Sequence, residues 1–110
     1  VSTVVNELVR HLGLEVVREL SGVSETRAIR EWQTGERAPR GRDLEEKLRL
    51  ALRVVYMLER YDSDGVIQAW FTGLNPHLED QAPVDVLREG DIAESGREVL
   101  NAARAFIVRG

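Results

Sequence analysis

Five arginines stand close together in the middle of the chain, and their side chains have the chemistry to bind phosphate groups. Arg27, Arg30, Arg37, Arg40 and Arg42 occur within residues 27–42. Residues 27–60 carry nine basic against six acidic side chains, which gives this stretch a net charge of +3. The pattern predicts an anionic partner for the middle of the chain, although charge scattered over solvated helices is the alternative explanation.

The rest of the chain is acidic. Residues 1–26 contain two arginines and four glutamates, and residues 61–110 contain four basic and nine acidic side chains, a net charge of −5 for the second stretch. A basic middle followed by an acidic tail indicates two different partners.

Catalytic patterns are missing from the sequence, so an enzyme is not expected. There is no glycine-rich phosphate loop, no nucleophile beside a His and an acid, and no HExxH. Asp62 and Asp64 resemble the opening of a calcium loop, but Gly73 occupies the twelfth position, where a Glu would be needed. No cofactor is predicted.

The two histidines do not form a metal-binding pattern. His11 and His77 are 66 positions apart, and neither has a His or Cys neighbour at ligand spacing. We therefore expect no metal, and we expect each histidine to be a surface or cap residue. The absence of cysteine, of a membrane-length apolar run and of a signal-peptide pattern predicts a cytoplasmic protein without membrane contact.

Apolar residues recur at helical spacing along the whole chain, which predicts an all-α fold. Glycines and prolines divide the pattern into short helices, with the longest predicted over 42–61 and smaller ones over 66–71 and 83–87. Asp62-Ser63-Asp64-Gly65 is a predicted turn, and the charge balance changes sign there. The predicted boundary therefore separates a domain of residues 1–61 from a domain of residues 62–110.

The segment from Leu14 to Trp32 has the spacing of a helix-turn-helix: a short helix, a turn at Gly22, and a second helix predicted to be capped by Ser24. In this motif the first turns of the second helix meet base edges, and neighbouring cations contact phosphates. The predicted base-contacting residues are Glu25, Thr26, Arg27 and Arg30, and the predicted phosphate-contacting residues are Arg37, Arg40 and Arg42. Ser24, at the start of the second helix, completes the predicted DNA-binding set.

The same segment resembles the Xre/Cro-type repressors through Val23-Ser24, Ile29 and the pattern Trp32-x-x-Gly35-x-x-x-Pro39. Glu25, Glu31 and Glu36 flank the basic residues, so one copy presents only a weakly positive face. Repressors of this kind generally dimerise, and the resemblance implies a homodimer here. A helical bundle whose arginines only confer solubility is the alternative, as is a helix-turn-helix that serves only for dimerisation.

A second resemblance covers the last 40 or so residues. The order Trp70, Asn75-Pro76, Leu78, Pro83, Leu87 and Gly90-Asp91 resembles the toxin-binding domain of the Xre/MbcA/ParS antitoxins. The implied toxin-binding residues are Trp70, Phe71, Asn75, Pro76, Leu78, Pro83 and Leu87. Asn75 is expected to cap a turn, and the prolines are expected to stiffen the loop. Trp70 and Phe71 as plain core residues are the competing interpretation.

The antitoxin resemblance also implies the partner and the mechanism. In that family the partner is typically a RES-domain toxin that consumes NAD, and the end of the antitoxin lies at the toxin's active-site cleft. The implied contact residues here are Ala105, Phe106, Ile107, Val108, Arg109 and Gly110, although a terminal helix packed only on its own domain is the simpler alternative.

The sequence thus predicts an antitoxin that neutralises a RES-type toxin and represses its own operon by binding operator DNA. The competing hypothesis is a free-standing transcription regulator whose C-terminal half only mediates dimerisation.

Overall fold

The computed structural model describes residues 2–109, and within them it contains seven α-helices and one 3-10 turn but no β-strand. The predicted all-α class is confirmed. The helices are α1 (Ser2–Leu12), α2 (Leu14–Ser21), α3 (Thr26–Thr34), α4 (Arg42–Glu59), α5 (Asp64–Thr72), α6 (Pro83–Glu89) and α7 (Ile92–Arg109), and the 3-10 turn covers Pro76–Leu78. The predicted helices over 42–61, 66–71 and 83–87 differ from α4, α5 and α6 by about one turn or less at their ends.

Two glycines end short helices as the sequence predicted. Gly22 follows α2 with a φ of 75°, and Gly35 follows α3 with a φ of 82°. Both values lie in the left-handed region, which a residue with a Cβ atom adopts only at a cost. The backbone N–H of Gly22 donates to the carbonyl of Arg18 at 3.0 Å, so the turn satisfies a carbonyl that the helix end leaves open.

The predicted cap of α3 is wrong. Ser24 is exposed and lies outside the helix, while Glu25 occupies the N-cap position in an extended conformation without a side-chain hydrogen bond. The turn is held one residue earlier, since Arg18 donates to the carbonyl of Val23 at 3.2 Å and the Val23 side chain packs against the core. This fixes the chain before Ser24, so α3 begins only at Thr26.

α4 is the central element of the packing. Its buried residues face α1 on one side and α7 on the other, and they are Leu48, Ala51, Val54, Val55 and Leu58. α2 packs against α6, and α1 packs against α5. Helices from both sides of the Asp62–Gly65 segment therefore share one apolar core. The boundary between the two predicted domains falls in the short link between α4 and α5.

Two long polar side chains tie α6 to the first half of the chain. Lys47 on α4 donates to the carbonyl of Arg88 at 2.8 Å. Arg88 in turn reaches the carbonyl of Glu19 on α2 at 3.4 Å. These contacts satisfy backbone carbonyls at the ends of two short helices, α2 and α6.

The expectation of a surface or cap position is wrong for His11, whose exposed fraction is only 4%. Its Nδ1 lies 2.7 Å from Asp64 Oδ1. Gln68 donates to its carbonyl at 2.9 Å, so α5 covers this end of α1. His77 is exposed, as expected.

None of the helices in residues 2–109 is both long enough and apolar enough to cross a bilayer.

Candidate functional site

The predicted DNA-contacting residues are all at the surface, in the turn before α3, on α3, and on the link that follows it. Ile29 and Trp32 anchor α3 in the core. This leaves Arg27 and Arg30 on the outer side of the same helix, where both are exposed. Arg37, Arg40 and Arg42 are exposed on the link between α3 and α4 and at the start of α4, and buried Pro39 holds that link against the protein.

Glu31 reduces the positive charge of this face. Its carboxylate lies 3.5 Å from Arg27 Nε and 3.6 Å from Arg37 Nε. Both arginines remain largely exposed, with side-chain exposures of 84% and 69%. Exposed ion pairs of this kind are weak, so a phosphate can compete with Glu31 for either guanidinium.

An open hollow lies at the beginning of α3. It has a volume of about 450 Å³ and is lined by Val23, Ser24, Glu25, Arg27, Ala28 and Glu31. Because Glu25 gives no side-chain cap, the first N–H groups of α3 are available to an external acceptor. The hollow thus combines backbone donors, an exposed cation and one acidic wall.

The second predicted site forms around the loop between α5 and α6. A pocket of about 190 Å³ is lined by Ala69, Trp70, Gly73, Leu74, Asn75, Pro76, His77, Ala102 and Phe106. It brings together α5, the loop and α7. Four of the residues assigned to toxin binding by resemblance, Trp70, Asn75, Pro76 and Phe106, therefore meet at one place.

Asn75 organises this loop, as the sequence predicted. Its side-chain oxygen accepts from the backbone N–H of His77 at 2.9 Å. Its backbone carbonyl accepts from Leu78 and from Asp80, both at 2.9 Å, and its own N–H donates to the carbonyl of Gln81 at 3.1 Å. A loop with its backbone groups satisfied in this way presents a fixed surface.

Six of the predicted toxin-binding residues are buried within the chain itself, and they are Trp70, Phe71, Asn75, Leu78, Pro83 and Leu87. The Trp70 ring meets Phe71 edge-on at 5.2 Å and leans on Phe106 at 6.4 Å. In this conformation these residues shape the pocket and its surroundings, and little of their own surface is open to a partner.

Trp70 carries an unsatisfied donor. Its indole Nε1 is buried and has no hydrogen-bond partner among the residues that the structure describes. An unpaired buried N–H costs about 1–3 kcal/mol. The cost falls on a side chain that lines the pocket.

The tip of α7 changes from packed to exposed over a few residues. Ala105, Phe106 and Ile107 are partly buried, and Phe106 and Ile107 pack against the core. Val108 is 86% exposed. The Arg109 side chain and Gly110 lie outside what the structure describes, so their predicted roles stay predictions.

Sequence reasoning missed Leu74, an apolar side chain that is 78% exposed at the rim of the pocket. Its exposure could have been predicted, because Leu74 stands between Gly73 and Asn75 in a segment already predicted to be a loop. Single exposed apolar residues are common on protein surfaces, so the feature that singles out Leu74 is its place at the rim of this pocket.

Titratable groups also gather around His11, away from both surfaces. His11 Nε2 lies 3.4 Å from Glu59 and 3.9 Å from Glu7, while Nδ1 contacts Asp64. No cluster of such residues within positions 2–109 has the arrangement needed to hold a metal ion. This network joins α1, α4 and α5 and is a packing feature of the fold.

Comparisons with protein-family models, with curated proteins and with solved structures found no match to this chain.

Proposed function

We propose that this protein is the antitoxin of a type II toxin–antitoxin pair and neutralises a RES-type, NAD-consuming toxin. The observation that carries the proposal is the pocket between α5, the Gly73–His77 loop and α7. Residues implied by the antitoxin resemblance line it together, and the exposed Leu74 stands at its rim. The family pattern and the local geometry thus point to the same part of the molecule.

The contact would be made by exposed apolar groups on a rigid support. Leu74 is held by the Asn75 hydrogen bonds, and Val108 follows directly after the packed residues Phe106 and Ile107. Such side chains lose little conformational freedom on binding, and they exchange contact with water for contact with the toxin. The acidic surplus of residues 61–110 would complement a basic toxin surface and speed association.

DNA binding forms the second part of the proposal. The exposed arginines on α3 and on the link to α4 support operator binding through a helix-turn-helix built from α2 and α3. Dimerisation would double the phosphate contacts, which a face weakened by Glu31 requires. The operon would then be repressed by its own antitoxin.

Leu74→Asp and Val108→Asp test the toxin contact without touching the core, because both side chains are exposed. We expect each change to weaken binding to the RES-type protein encoded beside this gene at least about tenfold, or about 1.4 kcal/mol. Binding is measured with purified proteins, and neutralisation is measured as residual NAD consumption. Val66→Asp is the control, since Val66 is another exposed valine but lies outside the pocket.

A truncation distinguishes the contribution of the α7 tip to toxin binding from that of the Gly73–His77 loop. Removing residues 108–110 keeps Phe106 on Trp70, whereas removal from residue 105 would also take away that packing. If the shorter chain still protects cells fully and blocks NAD consumption, occlusion of the cleft by the tip is wrong. If no RES-type gene lies beside this one, the free-standing regulator becomes the better hypothesis.

A further inference from the structure

Two arginines on the outer face of α4 and a third directly after the helix form no ion pair within the residues that the structure describes. Arg49, Arg53 and Arg60 are exposed, and none forms an ion pair within 4.0 Å among the described residues. Their spacings of four and seven residues place them on one side of the helix. They lie outside the predicted DNA-binding set, and the sequence pattern did not single them out.

These arginines border an apolar groove between α1 and α4. The groove has a volume of about 550 Å³, and its apolar lining comes from Val4, Leu52, Tyr56 and Met57. The arginines favour an anionic partner, and a protein surface that carries carboxylates can pair with them.

The same chain carries a surface of that kind on its other half. A groove of about 310 Å³ between α6 and α7 is lined by Gln81, Asp85, Val86, Glu89, Gly90, Asp91, Glu94, Ser95 and Glu98. Arg88 pairs with Asp85 and with Glu89, both at 2.8 Å. Asp91, Glu94 and Glu98 are exposed and form no ion pair in the described part of the chain.

The two charged sets also match in spacing. Glu94 and Glu98 are four residues apart on α7, as Arg49 and Arg53 are on α4. Each pair therefore spans about 6 Å along its helix axis. One helix laid along the other can form two ion pairs at once.

From these features we propose that the groove bordered by Arg49, Arg53 and Arg60 binds the acidic α6–α7 groove of a second copy of this chain. A contact between two arginine grooves would set like charges against each other. Each arginine groove therefore faces the acidic groove of another copy, either mutually in a closed dimer or successively in rings and open chains. This inference does not depend on the proposed antitoxin function.

Mass measurement at different salt concentrations gives the first test. We expect the average mass of the purified chain to rise with protein concentration at about 50 mM salt and to fall at about 500 mM, because salt screens exposed charges. Sedimentation velocity and light scattering report this mass. A mass that does not rise with concentration in low salt overturns the proposal, as does a rise that high salt leaves unchanged.

Paired neutral variants identify the two surfaces. Arg49→Gln with Arg53→Gln removes charge from one groove, and Glu94→Gln with Glu98→Gln removes it from the other. We expect each double variant alone to lose this rise in mass, with the dissociation constant of the groove contact raised at least about tenfold. Mixed together, they should form a 1:1 complex that does not grow, because only one intact groove of each kind remains.

The control variant is Arg27→Gln with Arg30→Gln, which removes two exposed arginines from α3 and should leave association unchanged. Circular dichroism checks that every variant stays folded. Failure of the mixture to associate would overturn the contact between the arginine groove and the acidic groove. So would an Arg49→Gln/Arg53→Gln variant that keeps its mass distribution but loses affinity for a DNA fragment, because the groove would then serve nucleic acid.

Discussion

His11 Nδ1 lies 2.7 Å from Asp64 Oδ1, which joins the end of α1 to the first residue of α5 across 53 positions of sequence. The imidazole is buried, while the carboxylate keeps about half of its surface in water, with 48% of the side chain exposed. The pair fixes how the second half of the chain begins against the first. It therefore stabilises the common core on which both candidate surfaces are built.

His11→Ala should lower the free energy of unfolding by about 2–4 kcal/mol, since it leaves a cavity and removes a hydrogen bond to a charged group. Asp64→Asn keeps an acceptor for His11 and should cost only about 1 kcal/mol. Urea unfolding followed by circular dichroism measures both. Asp62→Asn is the matched control. If all three variants lower the free energy of unfolding equally, the His11–Asp64 contact does not specifically stabilise the fold.

Glu7, also on α1, should make the free energy of unfolding depend on pH in the acid range. Hydrogen bonds from Arg10, at 2.8 and 3.2 Å, lower the pKa of Glu7 below its ordinary 4.5, against the opposing effect of partial burial, and Tyr56 adds a further hydrogen bond. A carboxyl with a lowered folded pKa stabilises the protein above its unfolded pKa, and this contribution is lost as pH falls through the folded pKa.

Glu7→Gln should therefore reduce stability at neutral pH, and its difference from the parent protein should shrink as the pH is lowered below 4.5. Unfolding curves recorded at a series of pH values give this difference directly. Glu36→Gln, at an exposed site, should track the parent protein at every pH. A Glu7→Gln difference that stays constant with pH would mean that the ion pair with Arg10 does not stabilise the fold.

Local signals explain which parts of the fold were predictable. Gly22 and Gly35 are helix ends because their own left-handed backbone conformation favours glycine. His11 was mispredicted because its partner lies 53 positions away, and no short-range pattern reports such a contact.

The candidate surfaces, too, could be predicted only where their residues are close in sequence. The arginines around α3 are close in sequence, so their common exposure followed from the helical pattern and the inward position of Trp32. The pocket beside Trp70 needs Phe106 from α7, and the arginine groove needs Val4 from α1. Both depend on tertiary packing, which spacing along the chain does not report.

Two glycines test how tightly α7 is packed, Gly90 at the turn from α6 to α7 and Gly96 at the contact of α7 with α4. A Cβ atom at Gly90 would lie 2.7 Å from the Cβ of Ser95 and 2.9 Å from the carbonyl oxygen of Val86. A Cβ atom at Gly96 would lie 2.9 Å from a terminal methyl of Leu50, which can rotate away. The first clash involves the backbone and the root of a side chain, while the second involves only a flexible end.

Gly90→Ala should therefore cost about 1–3 kcal/mol of stability by overpacking. Gly96→Ala should change stability by less than about 1 kcal/mol, because the better helix propensity of alanine in α7 offsets the displacement of Leu50. Thermal and urea unfolding rank the two variants against the parent protein. If Gly96→Ala lowers stability more than Gly90→Ala, the contact between α4 and α7 accommodates an added methyl group less well than the turn at Gly90 does.

The arginines of α3 lead to the prediction that separates the two proposed activities. Arg27→Ala combined with Arg30→Ala should lower affinity for the DNA upstream of this gene by more than about 30-fold, or about 2 kcal/mol. The slope of log affinity against log salt should fall by about two, because two fewer phosphates are neutralised. Glu31→Gln should act in the opposite direction, because it frees Arg27 from its ion pair.

Arg97→Ala with Arg104→Ala controls for net charge, since it removes two exposed arginines from α7, far along the chain from α3. It should leave DNA binding and the salt slope nearly unchanged. Neutralisation of the toxin should survive the Arg27/Arg30 change, because the pocket beside Trp70 contains neither residue. Equal losses from both double variants would mean that DNA responds only to overall charge, and the assignment of α3 as the DNA-contacting helix would be wrong.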